Sequence, residues 1–328
     1  MPRAEPAPEP EPPAGHDAAE LVDLTTASPL VWRRTWVEDR PARYGVAGAG
    51  LPVLFLHGWG LGHRAYRQSI TRLVDLGCRV HAPALPGFAG TADLPSRQFS
   101  LAGFARWVDA FLDAVHVDEP AFVVGHSFGG GVAIKLAARF PERVRRLVLV
   151  NSIGGSAWKD GPAGVLKSMA ERPLWDWGLH FPGDVWPIPQ ATKVLPVLVS
   201  EMLPNAVRNP RAMLRVGNLA RRADLTPELE VLKERGLPVV VLWGTRDGVI
   251  PRASFDAMCR AIGAEGEVID GSHSWLVGDP DAFGEVITNH VAVAKLARDL
   301  ESAAGAAGAG RPGPVRRGKE MLDRLRSA

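Results

Sequence analysis

The chain has 328 residues, of which 46% are hydrophobic and 23% are charged, as in an ordinary globular protein with a large core. Its net charge of +2 argues against a nucleic-acid partner, and its two cysteines, Cys78 and Cys259, have no metal-ligand spacing. No apolar signal-peptide core follows the first charges, and no apolar run approaches the ~20 residues that cross a bilayer. We therefore expect a cytoplasmic protein without an integral membrane segment, and its oligomeric state stays open.

The amino-terminal part of the chain predicts a tail followed by short strands. Residues 1–28 are rich in Pro, Ala and Glu, which favours disorder. Residues 30–38 and 42–47 predict two strands joined at Arg40-Pro41, and apolar runs at 51–56 and 79–82 predict two more. Residues 101–115 have the apolar spacing of an amphipathic helix.

Residues 121–134 carry the most informative pattern in the chain. An apolar run over 122–124 predicts a buried strand, the pentapeptide Gly125-His126-Ser127-Phe128-Gly129 follows at once, and 132–139 predict a helix. A serine between strand and helix lies on a sharp turn, where flanking glycines relieve crowding. The amino end of the helix favours a developing negative charge beside the hydroxyl. The pattern therefore predicts a nucleophilic Ser127.

The carboxyl-terminal half predicts further strands, an insertion and a second tail. Apolar runs at 144–150 and 238–243 continue an alternation of strands and helices, which is typical of a parallel sheet covered on both faces. Residues 154–235 interrupt this alternation and predict a helical cap above the serine, between core segments 29–153 and 236–300. Residues 301–328 are Ala/Gly-rich and then basic, which favours a disordered tail over an amphipathic helix at 315–325.

A serine nucleophile needs a base and a carboxylate that orients the base. Asp247 follows the strand at 239–243, and His273 follows a short strand at 267–269, so both reach the sheet edge at which Ser127 lies. A rival acid after the strand at 144–150 is absent, because that position is the neutral Asn151. Asp270 is too close to His273 in sequence to reach around its ring. We therefore predict a triad of Ser127, Asp247 and His273.

Five motifs together resemble the α/β-hydrolase superfamily, in its capped, esterase-like branch, over about residues 31–296. They are HGWG at 57–60, ALPGFAGT at 84–91, GHSFGG at 125–130, GTRDGVIP at 244–251 and GSHSWLVGDP at 271–280. The resemblance implies a mostly parallel eight-stranded sheet with helices on both faces and a helical cap after the sixth strand. It also implies an oxyanion hole formed by the backbone N–H groups of Phe128 and Trp59. Dehalogenases and epoxide hydrolases of this superfamily carry Asp in place of Ser127.

The combined expectation is a serine hydrolase that cleaves a carboxylic ester of a small apolar substrate without a metal or cofactor. Alternatives left open are a C–C bond hydrolase, a cofactor-free haloperoxidase or lactonase, and a catalytically silent ligand-binding protein. A C–C hydrolase needs a cationic group in the cap, for which Arg208, Arg211 and Arg215 qualify, although their spacing equally describes a solvated helix face. The residues expected to line the pocket are His57, Gly58, Trp175, Trp177, Trp186 and Trp275.

Overall fold

The computed structural model describes residues 29–155 and 188–308, and within them eight strands form a single sheet. Its order is β1-β2-β4-β3-β5-β6-β7-β8; β2 pairs antiparallel with both of its neighbours, and all the other pairs are parallel. The mostly parallel eight-stranded sheet is thus confirmed. The strands are β1 (Val31–Val37), β2 (Arg40–Ala47), β3 (Leu51–Leu56), β4 (Cys78–Pro83), β5 (Ala121–His126), β6 (Val144–Val150), β7 (Val239–Arg246) and β8 (Glu267–Ser272).

Helices cover both faces of the sheet. The described α-helices are α1 (Arg67–Asp75), α2 (Leu101–Ala114), α3 (Phe128–Arg139), α4 (Ile188–Arg208), α5 (Pro210–Arg221), α6 (Thr226–Glu234), α7 (Arg252–Ile262), α8 (Trp275–Gly278) and α9 (Pro280–Gly308). Helices α1 and α9 pack against each other on one face, and α2, α3, α6 and α7 cover the other. None of the helices in the described ranges has both the length and the apolar character needed to cross a bilayer.

The central strands are apolar along their whole length because each supplies two cores. In β3, Leu54 and Leu56 face the core beneath α2 and α3, while Val53 and Phe55 face the core beneath α1 and α9. This alternation follows from the two-residue repeat of a strand. Each of these side chains is at most 1% exposed, and burying one fully contributes about 1.5–3 kcal/mol.

The first hairpin differs from its prediction. Its turn consists of Glu38 and Asp39, both with positive φ (49° and 59°), rather than Arg40-Pro41. Arg40 and Pro41 lie within β2, paired with Val37 and Trp36 of β1. A two-residue turn with both φ values positive matches the twist of a hairpin, and proline is tolerated on a strand near the sheet edge.

The insertion between β6 and β7 is closed at its base. Gly154 forms a parallel bridge with Asp224, and the Leu225 amide donates to the Gly154 carbonyl at 2.9 Å. Helix α6 follows this bridge, packs against α3 and α7, and buries Leu229 and Leu232 in the main core. The described helices before this bridge are α4 and α5, which we call the cap helices, and the cap bounds 154 and 235 stay a prediction.

The carboxyl-terminal helix α9 continues to Gly308, so the prediction of a disordered tail from residue 301 was wrong for residues 301–308. Extending an existing helix through Ala-rich sequence costs little, and Glu301 pairs with Arg145 of β6. The predicted tails at 1–28 and 309–328, like cap residues 156–187 with Trp158, Trp175, Trp177 and Trp186, lie outside the described residues.

Candidate active site

Ser127 occupies the turn between β5 and α3 in a conformation that L-amino acids rarely adopt, with φ 53° and ψ −117°. Its amide donates to the Val150 carbonyl at 3.0 Å. The glycines around it are required by close backbone approach: a Cβ atom on Gly125 would lie 2.6 Å from Gly130 Cα, and one on Gly129 would lie 2.3 Å from the Leu56 oxygen. A backbone conformation like that of Ser127 costs about 1–3 kcal/mol and is typical of functional sites.

Ser127, His273 and Asp247 form one hydrogen-bonded chain at the carboxyl edge of the sheet. His273 follows β8 directly, and its Nε2 lies 3.0 Å from Ser127 Oγ. Its Nδ1 lies 2.9 Å from Oδ2 of Asp247, which follows β7. A carboxylate only accepts hydrogen bonds, so Nδ1 carries the proton and Nε2 is left to accept the serine hydroxyl proton. The structure thus brings together the three residues of the predicted triad.

The Asp247 side chain is fully buried and accepts four hydrogen bonds. Oδ1 accepts the amides of Val249 and Ile250 at 2.7 and 2.8 Å, and Oδ2 accepts Asn151 Nδ2 at 2.6 Å in addition to His273. Charge-assisted bonds of this kind are stronger than neutral ones and hold the carboxylate in one orientation. Sequence reasoning treated Asn151 as a position without an acid and missed its role as a donor to Asp247.

Two of the predicted pocket residues lie elsewhere. Trp275 is 2% exposed, and its indole nitrogen donates to Asn151 Oδ1 at 3.0 Å, so this tryptophan supports the acid from behind. His57 is completely buried, with Nδ1 donating to the Gly58 carbonyl and Nε2 accepting the Leu85 amide at 2.8 Å. Burial lowers the pKa of His57 to about 4, which keeps the ring neutral. Neither side chain lines the cavity over the serine.

That cavity has a volume of about 390 Å³, including its open mouth. Trp59 lies on the loop after β3, and its indole donates to the Met213 carbonyl of α5 at 2.8 Å, which ties this loop to the cap. Phe128 is the first residue of α3, where a backbone N–H has no acceptor within the helix. The described lining residues are Gly58, Trp59, Leu61, His126, Ser127, Val249, His273 and Ser274.

A second hydrogen-bonded group lies directly behind these residues. Tyr66 accepts the Gly58 amide at 3.0 Å and lies 2.7 Å from His126 Nδ1, while His126 Nε2 lies 2.9 Å from the His273 carbonyl oxygen. Both side chains are almost wholly buried, which lowers the pKa of His126 well below its ordinary value and raises the pKa of Tyr66. No sequence motif pointed to Tyr66.

The three arginines considered for a substrate carboxylate are not among the described residues that line the cavity. Arg208 and Arg211 are exposed, and the Arg215 guanidinium stacks on Phe99 at 3.7 Å from the ring centre. A solvated helix face describes Arg208 and Arg211 best. Within residues 29–155 and 188–308, no three His, Cys, Asp or Glu side chains are grouped closely enough to hold a metal ion.

Comparisons with known proteins show the family to which the chain belongs. The chain is 30% identical to a protein of Mycobacterium phage D29 provisionally named a non-heme haloperoxidase, over 75% of this chain and 90% of that one. It is 27% identical to the pimeloyl-[acyl-carrier protein] methyl ester esterase of Vibrio cholerae, over 73% and 93% of the two chains. The crystal structure of an esterase from Rhodococcus sp. ECU1013 superposes with a TM-score of 0.62 at 25% identity, covering 80% of this chain and 98% of the esterase. A model of the alpha/beta hydrolase family matches residues 53–286, and the chain therefore belongs to that family.

Proposed function

We propose that this protein is a serine hydrolase that cleaves carboxylic esters of small apolar molecules through an acyl-enzyme. The observation that carries the proposal is the chain of hydrogen bonds from Ser127 Oγ through His273 to the buried Asp247. A serine hydroxyl is a weak nucleophile at neutral pH, and an imidazole in this tautomer, oriented by a carboxylate, is the group that activates it.

In the first half of the proposed reaction, Ser127 Oγ attacks the ester carbonyl and its proton passes to His273 Nε2. The negative oxygen of the tetrahedral intermediate is held by the amides of Phe128 and Trp59, and Asp247 stabilises the imidazolium. When the C–O bond of the ester breaks, His273 returns the proton to the departing alcohol. Each preorganised amide of such a hole contributes about 10²- to 10³-fold to the rate.

In the second half, His273 takes a proton from water, and the resulting hydroxide attacks the acyl carbonyl on Ser127. The second tetrahedral intermediate uses the same two amides. It collapses by breaking the bond to Ser127 Oγ, and His273 returns its proton to that oxygen. The products are the free acid and the original serine.

The described cavity lining favours an uncharged substrate. Apolar surface is contributed by Trp59, Leu61 and Val249, and none of the described lining residues is a lysine or arginine that would pair with a substrate carboxylate. Apolar surface with a few convergent polar groups is the usual composition of a small-molecule site. This favours ester cleavage over the C–C bond hydrolase alternative, which needs a carboxylate anchor.

The name of the phage relative motivates a second candidate, cofactor-free peroxide chemistry. The same acyl-enzyme would be attacked by hydrogen peroxide in place of water, which forms a peracid and frees Ser127. The peracid then oxidises bromide, with uptake of a proton, to hypobromous acid and the carboxylic acid. Bromination that requires added peroxide and a carboxylic acid would support this activity.

The proposal is tested with a panel of p-nitrophenyl esters of increasing acyl length and with a fluorophosphonate probe. We expect ester hydrolysis with a preference among acyl lengths, and a single label on Ser127 in peptide maps. Ser127→Ala should lose both the label and the activity, while the control Ser200→Ala, on the exposed face of α4, should keep both. A folded wild-type protein that takes no label and cleaves no ester would refute the proposal and favour the silent binding protein.

A further inference from the structure

A buried hydrogen-bond chain connects the loop after β3 with the loop after β8. It runs from the Gly58 amide to the Tyr66 hydroxyl at 3.0 Å, from there to His126 Nδ1 at 2.7 Å, and from His126 Nε2 to the His273 carbonyl at 2.9 Å. Gly58 precedes Trp59, which supplies one oxyanion donor in the proposed mechanism, and His273 is the proposed base. These three hydrogen bonds therefore join two parts of the proposed catalytic machinery that are far apart in sequence.

The direction of each hydrogen bond follows from the groups at its ends. The His273 carbonyl only accepts, so His126 Nε2 carries the ring proton and Nδ1 has a free lone pair. Tyr66 donates its hydroxyl proton to that lone pair and accepts the Gly58 N–H with its oxygen. Burial keeps both side chains neutral, because it lowers the pKa of His126 and raises the pKa of Tyr66. In this protonation state every hydrogen-bonding group of the chain is satisfied.

His126 lines the cavity, so a direct role as a second base must be considered. A base needs a free lone pair, but the Nδ1 lone pair accepts from Tyr66, and Nε2 carries the proton given to the His273 carbonyl. His126 therefore has no lone pair to offer a substrate. Its position suits it to orient its neighbours and not to exchange protons with the reactants.

We propose that Tyr66 and His126 are positioning residues that hold the oxyanion loop at Gly58 and the His273 backbone in a common frame for ester cleavage. This inference rests on the proposed function. Gly58 packs closely against both side chains, because a Cβ atom added to it would lie 2.8 Å from His126 Nδ1 and 3.2 Å from the Tyr66 oxygen. The His126 and His273 rings pack against each other, with centres 4.9 Å apart and planes tilted by 45°. A misplacement of about 1 Å at a reacting group can cost 10²-fold in rate.

The first test is Tyr66→Phe, which deletes the hydroxyl and keeps the ring that packs against Phe55. We expect kcat for the best p-nitrophenyl ester to fall by about 10- to 100-fold while KM stays within about twofold, because the donors act on the transition state more than on the bound ester. Affinity for a trifluoromethyl ketone, which forms the oxyanion adduct, should fall by a similar factor. Tyr44→Phe, at the chain's other tyrosine, is the matched control and should change none of these values.

The second test separates the two ends of His126. The Gln side chain of His126→Gln can reach the His273 carbonyl with its amide, whereas His126→Leu makes neither hydrogen bond. We expect His126→Gln to retain about tenfold more of the wild-type kcat than His126→Leu, with melting temperatures measured for all variants.

Two outcomes would overturn the inference while leaving the proposed function intact: unchanged kcat in both Tyr66→Phe and His126→Leu, or losses that follow the melting temperature alone without rescue by glutamine. A wild-type protein that neither hydrolyses esters nor labels at Ser127 would instead refute the proposed function, and this inference with it.

Discussion

Replacing Asp247 with asparagine keeps the shape of the side chain and removes its charge. Oδ1 of Asp247 accepts two backbone amides, so the oxygen of the new amide should remain there and its NH₂ group should take the place of Oδ2. That NH₂ then faces His273 Nδ1 and Asn151 Nδ2, which both donate in the wild type. Asn151 cannot turn to relieve this conflict without presenting its own NH₂ to the Trp275 indole, which is also a donor.

The expected loss of kcat in Asp247→Asn follows from the tautomer of His273. To accept a hydrogen bond from the new NH₂ group, Nδ1 must lose its proton, and Nε2 then carries a proton and cannot take one from Ser127. A triad with the wrong tautomer loses roughly 10⁴-fold in kcat. At about 1.36 kcal/mol per factor of ten, this is about 5.4 kcal/mol of transition-state stabilisation. A buried donor left without an acceptor also costs about 1–3 kcal/mol of folding free energy, so the melting temperature should fall by several degrees.

The assay is steady-state hydrolysis of a p-nitrophenyl ester together with thermal unfolding. Asp270→Asn is the matched control: Asp270 lies on β8 three residues before His273, its side chain is 81% exposed and it pairs with Arg246, so the substitution should change kcat by less than about twofold. If Asp247→Asn kept kcat within tenfold of the wild type, or Asp270→Asn were the more damaging change, Asp247 would not be the catalytic acid.

Three further predictions concern the cores and the cap. Burial lowers the pKa of His57 from 6.5 to about 4, so between these pH values the unfolded chain binds a proton that the folded chain does not. The melting temperature should therefore fall as the pH drops from about 6.5 to 4. His57→Gln should make this dependence of the melting temperature on pH less steep. The Asn205 side chain bonds the Gly60 carbonyl and the Ala89 amide at 2.9 Å each, so Asn205→Leu should destabilise the protein by about 2–4 kcal/mol in urea unfolding and lower kcat; an unchanged unfolding midpoint would show that this clamp is dispensable. Alanine in place of Trp175, Trp177 or Trp186 should shift the preference among acyl lengths by roughly ten- to a few-hundred-fold, while Ser127 is still labelled. A change in the melting temperature alone would show that these tryptophans are packing residues.

The features that the sequence determined by itself are those specified by local patterns. Uninterrupted apolar runs predicted the central strands, and a serine between a strand and a helix, flanked by glycines, predicted the turn at Ser127. The positions of Asp247 and His273 were predictable because each follows a predicted strand, and parallel strands present their carboxyl ends at one edge. Local sequence was less reliable where two structures compete, as at Arg40-Pro41 and beyond residue 300.

Only the tertiary structure decided which side chains support these three residues. Asn151 lies 96 residues from Asp247 and Tyr66 lies 60 from His126, and neither pair shows a spacing that could reveal the contact. Likewise, Trp275 and His57 lie close in sequence to His273 and Trp59, but their side chains turn into the interior. There Asn151 and Leu85 form hydrogen bonds with them. Such contacts are set by close packing and by the need of each buried polar group for a partner, and both depend on where distant segments meet in three dimensions.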